Sequence, residues 1–250
     1  MSNPELVRIS RVRAFENTKL YSPEYEGNGL QLMVYEPTAK TSDNEDFSSD
    51  KLEVNIEVLN MDTLEAAKLL VTSKFNPLVL CYADDRLPGG FVNSGAGAQE
   101  EEIWRRTNIV RIMEKESAVY YPLKWNELLL IDRVTIYKDT KYKNMNSPFE
   151  ADILNAVALR SPAIADENYA ESKSLQMMDD KIGAIFKAAI KNGNDSLVLG
   201  AFGCGSFSNP PKAVAKLFKK YTIKFQNRFR RIIFAIIGSN YSVFKDILSN

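Results

Sequence analysis

Apolar segments of strand length alternate with segments of helical periodicity from about residue 53 onward. Residues 53–60, EVNIEVLN, place apolar side chains at alternate positions, which is typical of a half-buried strand. Residues 77–83, PLVLCYA, are continuously apolar, as expected of a strand covered on both faces. The alternation predicts an α/β fold with a mixed, mostly parallel central sheet and helices on both faces.

The same patterns predict the remaining elements. Strands are expected at 29–36, 133–139, 151–159, 196–202 and 230–237. Amphipathic helices are expected at 61–74, 177–192 and 210–221, and a further helix is expected from about Gln99. Polar segments at 37–50, 138–147 and 165–174 are short enough to be surface loops of one domain.

Two helix starts carry specific signals. Asp62 precedes a segment of helical period, and Glu65 follows three residues later, as in a capping box. Asn209 precedes Pro210, and proline at the first helical position loses no hydrogen bond, because that N–H has no partner inside a helix. We therefore predict helices that begin at Asp62 and Asn209.

Length and composition bound the class of protein. At 250 residues we predict one domain over 1–250, with residues 1–52 as an N-terminal elaboration packed on a core of residues 53–250. The 32 basic and 32 acidic residues balance, so no net field attracts nucleic acid or an anionic membrane. No long apolar run or signal-peptide core occurs, and Cys81 and Cys204 are the only cysteines. We expect an intracellular protein, cytoplasmic or nuclear, with reduced thiols.

Histidine is absent from the chain. Its absence excludes serine–histidine and cysteine–histidine nucleophilic catalysis, and zinc sites built on histidine. Carboxylates remain as the natural acid–base groups. Cys204 is therefore interpreted as a small residue between glycines, since no obvious base exists to activate it.

Two glycine-rich loops follow predicted strands, at 87–98 and 200–211. In an open α/β sheet, ligands bind beyond the carboxyl ends of strands, where loops lead into helices. Glycines let main-chain N–H groups approach a phosphate closely, and a helix N-terminus adds about half a positive charge. The two loops together are suited to a diphosphate, although each glycine pair alone also fits an ordinary turn.

Three consecutive glutamates, residues 100–102, follow the first glycine loop. On an exposed helix, Glu101 and Glu102 would pair with Arg105 and Arg106, at about 0.2–0.5 kcal/mol per pair. Helix physics alone favours that surface role. The position of the acids beside a glycine loop instead favours a ligand-facing role, and repulsion between them should raise the pKa of at least one toward the range of a general acid.

Two segments carry a resemblance to a known family. PGGFVNSGAGAQEEEIWRR, residues 88–106, resembles the signature of the poly(ADP-ribose) glycohydrolases built on a macrodomain, in which a glycine triplet is followed by Gln-Glu-Glu. LVLGAFGCGSFSNPPKAVAKLF, residues 197–218, looks like the second ligand loop of the microbial branch. The likeness spans roughly residues 53–248. It implies a single three-layer α/β/α macrodomain that hydrolyses ribose–ribose O-glycosidic bonds in poly(ADP-ribose) and releases ADP-ribose.

The resemblance also implies roles for the acids. Glu101 matches the catalytic acid, which protonates the leaving ribose oxygen and then activates water. Glu100 matches the residue that orients the ribose hydroxyls. Gln99 would fix the helix start and the geometry of the glutamates. Its position also aligns the Gln-Glu-Glu motif so that Glu101, rather than Glu102, matches the catalytic acid.

The resemblance further implies a set of ligand-binding residues. Those of the two loops are Gly89, Gly90, Phe91, Gly203, Cys204, Gly205, Ser206 and Phe207. Phe207 would contact a ribose. Asp62 matches an acid that bonds the adenine amine, although a simple N-cap role fits it at least as well.

Departures from the family pattern leave alternatives open. Phe91 replaces the third glycine and is expected to change how closely the loop approaches the ligand, and Leu87 and Asp84 replace small or amide residues. Hydrolysis of mono-ADP-ribosylated protein or nucleic acid, or non-catalytic ADP-ribose binding, are the alternatives.

The resemblance implies no metal or redox cofactor. The expected partners are ADP-ribose, poly(ADP-ribose) and ADP-ribosylated proteins, from which the enzyme would remove the modification. We expect no membrane and no sequence-specific nucleic acid partner, and a monomer.

Overall fold

The computed structural model describes residues 3–36 and 54–249. In chain order the described elements are α1 (Pro4–Tyr21), β1 (Leu30–Val34), β2 (Asn55–Leu59), α2 (Thr63–Thr72), β3 (Pro77–Tyr82), α3 (Gln99–Arg106), α4 (Ile109–Tyr120), β4 (Glu127–Lys138), β5 (Asn144–Ala156), β6 (Ile164–Ala165), β7 (Asn168–Tyr169), α5 (Ser172–Asn192), β8 (Ser196–Leu199), α6 (Pro211–Lys224), β9 (Arg231–Ala235) and α7 (Asn240–Leu248). The predicted loop at 37–50 lies outside the described residues. No helix within them is both long and apolar enough to cross a membrane.

A seven-stranded sheet has the strand order β1-β4-β5-β3-β8-β9-β2, and β6 and β7 form a separate ribbon. Strand β9 pairs in parallel with both β2 and β8, and β8 pairs in parallel with β3. Strands β4 and β5 are antiparallel, with Leu129 opposite Asn155 and Ile136 opposite Phe149. The mixed, mostly parallel α/β class predicted from the sequence is confirmed.

By its contacts the chain divides into two units, Met1–Met33 with Cys81–Val157, and Val34–Leu80 with Ala158–Asn250. In the first unit, α1 packs on α3 and α4. Arg8 Nε donates to the carbonyl of Ser94, and Thr18 Oγ1 donates to the carbonyl of Arg105. Helix α1 therefore braces both the loop before α3 and the end of α3. The single-domain organisation of residues 1–250 stays a prediction.

The second unit contains the parallel strands β2, β8 and β9 with α2, α5, α6 and α7. Its core includes a cluster of stacked aromatic side chains, in which Phe186 of α5 contacts Phe218, Tyr221 and Phe225 of α6. Phe218 also meets Phe234 of β9 edge to face. Burial of these rings fixes α6 on the sheet, because each ring removes a large apolar area from water.

Several boundaries differ from the sequence prediction. Strands β4 and β5 extend into residues 138–147, so the prediction of a surface loop there is wrong except for the turn at 139–143. The first half of β5 is polar because it is solvent-exposed, and Asp139 Oδ1 shapes the turn by accepting from the N–H groups of Lys141 and Lys143. The predicted loop at 165–174 likewise contains β7 and the start of α5.

The two predicted helix starts have opposite outcomes. Asp62 is the N-cap of α2, and its Oδ1 accepts from the N–H groups of Leu64 and Glu65. Asn209 is not a cap. Helix α6 begins after Pro210, and the Asn209 side chain instead donates to the carbonyl of Leu159 at 2.7 Å, so a tertiary contact replaces the local one.

Lys138 lies under α1 and is 1% exposed. Its ammonium donates to three oxygens of α1, namely the carbonyl of Ala14 (3.3 Å), Asn17 Oδ1 (2.9 Å) and Thr18 Oγ1 (2.7 Å). All three acceptors are neutral, and burial lowers the pKa of Lys138 to about 8.

We expect the stability contributed by Lys138 to rise with pH. Between the folded pKa of about 8 and the ordinary value of 10.5, the unfolded chain binds more protons than the folded chain. Relative to Lys138→Met, the wild type should therefore gain free energy of unfolding across this interval, as measured by urea unfolding at several pH values. The exposed Lys187→Met is the control and should show no such trend; a pH-independent difference for Lys138→Met would contradict the prediction.

Candidate functional site

The first glycine loop joins β3 to α3. The chain leaves β3 at Tyr82, whose N–H donates to Gln99 Oε1 at 2.9 Å. It passes through a short 3-10 turn at Val92–Ser94 and enters α3 at Gln99. Gln99 therefore ties the helix start back to the end of the strand.

Gly89 and Gly90 both adopt the left-handed region, with φ of +76° and +56°. A Cβ at Gly89 would lie 2.5 Å from the ring of Trp104, and one at Gly90 would lie 2.6 Å from Glu101 Oε1. Backbone angle and space both require glycine here. The main chain at Gly90 therefore lies directly against the two glutamates that follow.

Glu100 is 4% exposed and holds the loop through two main-chain bonds. Its Oε2 accepts from Asp84 N–H at 2.8 Å, and its Oε1 accepts from Gly89 N–H at 3.0 Å. Burial raises the pKa of Glu100 to about 8, although these two hydrogen bonds oppose the shift. The raised pKa therefore favours the protonated form of this side chain.

Glu101 is 5% exposed and differs from Glu100 in its bonding. Its Oε1 accepts from the N–H of Phe91 at 3.0 Å, whereas its Oε2 is buried and has no hydrogen-bond partner. A buried carboxylate oxygen without a partner costs free energy, on the order of 1–3 kcal/mol. Oε2 is therefore the carboxylate oxygen of Glu101 that the described residues leave without a hydrogen bond.

Glu102 has a different environment from its two neighbours. Its Oε1 accepts from Arg105 Nη1 at 3.0 Å and from the Tyr142 hydroxyl at 2.8 Å, and Arg11 Nε lies 3.6 Å away. These partners make Glu102 a member of an ion-pair cluster. The three glutamates therefore separate into two that contact the glycine loop and one that does not.

Arg105 is fully buried, so the alternative of an exposed helix carrying surface ion pairs does not hold. Besides Glu102, its guanidinium donates to the carbonyls of Val92, Ala96 and Arg11. Arg106 is 1% exposed and donates to the carbonyl of Lys138. Arg105 thus fixes the second half of the glycine loop, a role that sequence spacing did not reveal.

Phe91 stands at the third position of the glycine triplet. Its φ of −100° lies in a region open to any residue, and its side chain is 58% exposed. The backbone conformation is therefore compatible with phenylalanine at this position, and the Phe91 N–H still donates a hydrogen bond to Glu101. Asp84 Oδ1 accepts from the N–H of Leu87, so both remaining departures from the family pattern lie in one turn.

The second glycine loop, in the other unit, is organised by Asn209, which is 1% exposed. The Asn209 amide donates to the carbonyls of Leu159 and Gly203, and its Oδ1 accepts from the Tyr169 hydroxyl at 3.0 Å. Gly203 has a φ of +71°, and a Cβ there would collide with Ala158. Asn209 is a site-organising residue that the sequence reading took for a helix cap.

The predicted ligand residues of this loop have distinct environments. Burial raises the pKa of the Cys204 thiol to about 12, which disfavours the nucleophilic thiolate. Gly205 faces open space, and Ser206 lies in the same turn. The Phe207 ring stacks under the Arg160 guanidinium at 4.1 Å, and its carbonyl accepts from Ser161 N–H at 2.8 Å. Phe207 is thus held from two sides.

We expect Gly89→Ala to be more destabilising than Gly193→Ala. The two glycines have nearly equal φ, +76° and +80°, but a Cβ at Gly193 meets nothing within 4 Å. Backbone strain alone should cost about 1–2 kcal/mol at Gly193. The collision with Trp104 should add about 1–3 kcal/mol at Gly89. Urea unfolding of both variants measures the difference, and equal losses would contradict the assigned packing.

We expect Glu100 to make the protein less stable as pH rises. Between the ordinary pKa of 4.5 and the folded value of about 8, the folded chain binds more protons than the unfolded chain, so the free energy of unfolding falls with pH. Glu100→Gln does not titrate and should lack this slope relative to wild type. The exposed Glu114→Gln serves as control, and identical slopes for Glu100→Gln and wild type would refute the assignment.

Comparison with known proteins identifies the family. The model of the microbial-type PARG catalytic domain matches residues 3–140. This match begins well before residue 53, where the motifs placed the start of the likeness, so the expectation that the first fifty residues fall outside the family is wrong. No curated protein matches the chain.

Solved structures of bacterial poly(ADP-ribose) glycohydrolases share the fold. The enzyme from Thermomonospora curvata has a TM-score of 0.79 at 22% identity, over 97% of this chain and 99% of that chain. Its complex with the inhibitor ADP-HPD gives 0.76 at 23% identity, with the same coverage. The Deinococcus radiodurans enzyme in complex with ADP-ribose gives 0.70 at 22% identity, over 99% and 93%. The family model spans more than half of the sequence, and the chain therefore belongs to the microbial-type poly(ADP-ribose) glycohydrolase (PARG) catalytic-domain family.

Proposed function

We propose that Glu101 is the general acid and base with which this poly(ADP-ribose) glycohydrolase cleaves ribose–ribose O-glycosidic bonds and releases ADP-ribose. One observation carries the proposal. The Glu101 carboxylate is fixed at Oε1 by Phe91 N–H, while its Oε2 is buried and has no partner. A carboxyl group held in this way presents one free oxygen in a fixed direction, which is the geometry that proton transfer requires.

The chemistry divides into two steps. Protonated Glu101 donates its proton to the leaving ribose oxygen as the bond to the anomeric carbon breaks, which leaves an oxocarbenium-like ribosyl cation. The Glu101 carboxylate then accepts a proton from water as the water oxygen bonds to the anomeric carbon. The products are ADP-ribose and the shortened polymer, and Glu101 is protonated again.

Glu100 supports this chemistry in two ways. Its raised pKa favours its neutral form, so Glu100 adds less negative charge beside Glu101. Its bonds to the N–H groups of Asp84 and Gly89 fix the loop and leave further lone pairs, with which it would orient the ribose hydroxyls.

Each glycine loop offers main-chain groups to a ligand. The first loop follows β3 and the second follows β8, as ligand-binding loops follow strands in open α/β sheets. We assign the diphosphate to the glycine-rich backbone and the ribose contact to Phe207. The role of Asp62 toward adenine remains a proposal beside the N-cap role that its Oδ1 performs.

We expect Glu101→Gln to abolish ADP-ribose release and to leave ADP-ribose binding near wild type. The amide keeps the bond from Phe91 N–H but cannot donate a proton from a carboxylic acid, so turnover should fall by about 10²–10⁴-fold or more. Release is measured on automodified polymerase product, and binding by calorimetry. Glu102→Gln is the matched control: it alters the Arg105 ion pair and should lower stability more than turnover.

Three results would change the assignment. Full activity of Glu101→Gln would remove Glu101 from the reaction. ADP-ribose binding without turnover by the wild type would favour a non-catalytic reader, in which the exposed Phe91 ring disturbs the substrate. Turnover only on a singly modified acceptor would favour a mono-ADP-ribosyl hydrolase.

A further inference from the structure

Charge is segregated along this neutral chain. Residues 196–245 contain nine basic residues and no aspartate or glutamate. Because the totals are 32 and 32, the rest of the chain holds 23 basic and 32 acidic residues. This acid-free segment, residues 196–245, includes β8, the second glycine loop, α6 and β9. The segment therefore carries nine positive charges, two of which, on Arg230 and Arg231, pair with Asp195 and Glu57.

Helix α6 concentrates this charge on one face. Its lysines recur at three- and four-residue spacings, so they form a stripe along the helix: Lys212, Lys216, Lys219, Lys220 and Lys224. The opposite face is buried against the core through Val214, Leu217 and Phe218. From Lys212 to Lys224 the stripe is about 18 Å long at 1.5 Å per residue. We call this stripe the α6 basic face.

The α6 basic face is only partly neutralised by the protein. Lys212 pairs with Glu167, and Lys220 pairs with Asp179. Lys216 and Lys219, between them, have no ion-pair partner within residues 3–36 and 54–249. Like charges at these spacings repel one another, and the positive end of the helix dipole adds to the repulsion near Lys212. A solvent-exposed stripe with these costs is better explained by an anionic partner than by helix stability.

The position of α6 suggests which anion it meets. Helix α6 begins at Pro211, directly after the glycine loop that we assign to the ligand's diphosphate. Each further unit of poly(ADP-ribose) carries a diphosphate with about two negative charges. We infer that the α6 basic face binds the part of the poly(ADP-ribose) chain that extends beyond the unit being cleaved. This inference rests on the proposed function and adds a second contact for the same substrate.

The test neutralises the two unpaired lysines. Lys216→Gln with Lys219→Gln is compared with Lys68→Gln with Lys187→Gln, which removes the same charge from exposed positions on α2 and α5. Binding of long purified polymer and of free ADP-ribose is measured across a salt series. The α6 variant should bind long polymer about tenfold more weakly at low salt, and the magnitude of the slope of log affinity against log salt should fall by about 1.4–2, since two lysines are removed. ADP-ribose affinity and thermal stability should match the control.

Turnover separates this inference from the proposed function. The α6 variant should raise KM for long polymer and leave kcat unchanged. If the wild type fails to cleave polymer yet its binding depends on Lys216 and Lys219, the proposed function fails and the inference stands. Three outcomes would overturn the inference. The control variant could weaken polymer binding equally, or the salt slope could stay unchanged. The wild type could also bind a single-stranded oligonucleotide of matched charge as tightly as the polymer.

Discussion

The candidate site depends on three main-chain N–H groups that bind two buried carboxylates. Asp84 and Gly89 donate to Glu100, and Phe91 donates to Glu101. The chain can direct these donors inward from so short a loop because Gly89 and Gly90 adopt positive φ. The conformation of the loop and the positions of the two glutamate side chains therefore depend on each other, because the carboxyl groups bind the N–H groups of the loop. Desolvation raises the pKa of Glu100, and the hydrogen bonds from the two N–H groups offset part of the free-energy cost of burying it.

The constraint extends beyond the motif to the first helix. Buried Arg105 fixes the carbonyls of Val92 and Ala96, and its own carbonyl accepts from Thr18 of α1. Arg8 of α1 reaches the same loop at Ser94. These contacts give a physical reason for a family match that begins at residue 3. An N-terminal helix that looked peripheral in the sequence contributes directly to the rigidity of the glycine loop.

The sequence predicted features that local chemistry determines. The N-cap of α2 at Asp62, the start of α3 at Gln99 and the buried strand β3 follow from capping signals and apolar periodicity. Features decided by distant partners were missed. Helix α1 buries only Ala14, Phe15 and Thr18, so it carries no clear apolar stripe. Asn209 has the sequence of a helix cap, but its amide bonds Leu159, fifty residues away.

The same distinction explains the glycine triplet. A motif records residue types, whereas the structure shows which positions need glycine: Gly89 and Gly90 do, and position 91 does not, because its φ is −100°. Charge behaves similarly, since a net value of zero conceals the acid-free segment. Acid catalysis on a polyanion needs carboxylates at the reacting bond, but carboxylates elsewhere along the polymer would repel its phosphates. Confining the acids to other parts of the chain leaves the acid-free segment suited to a polyanion, whereas a uniformly basic protein would lack the reacting carboxylates.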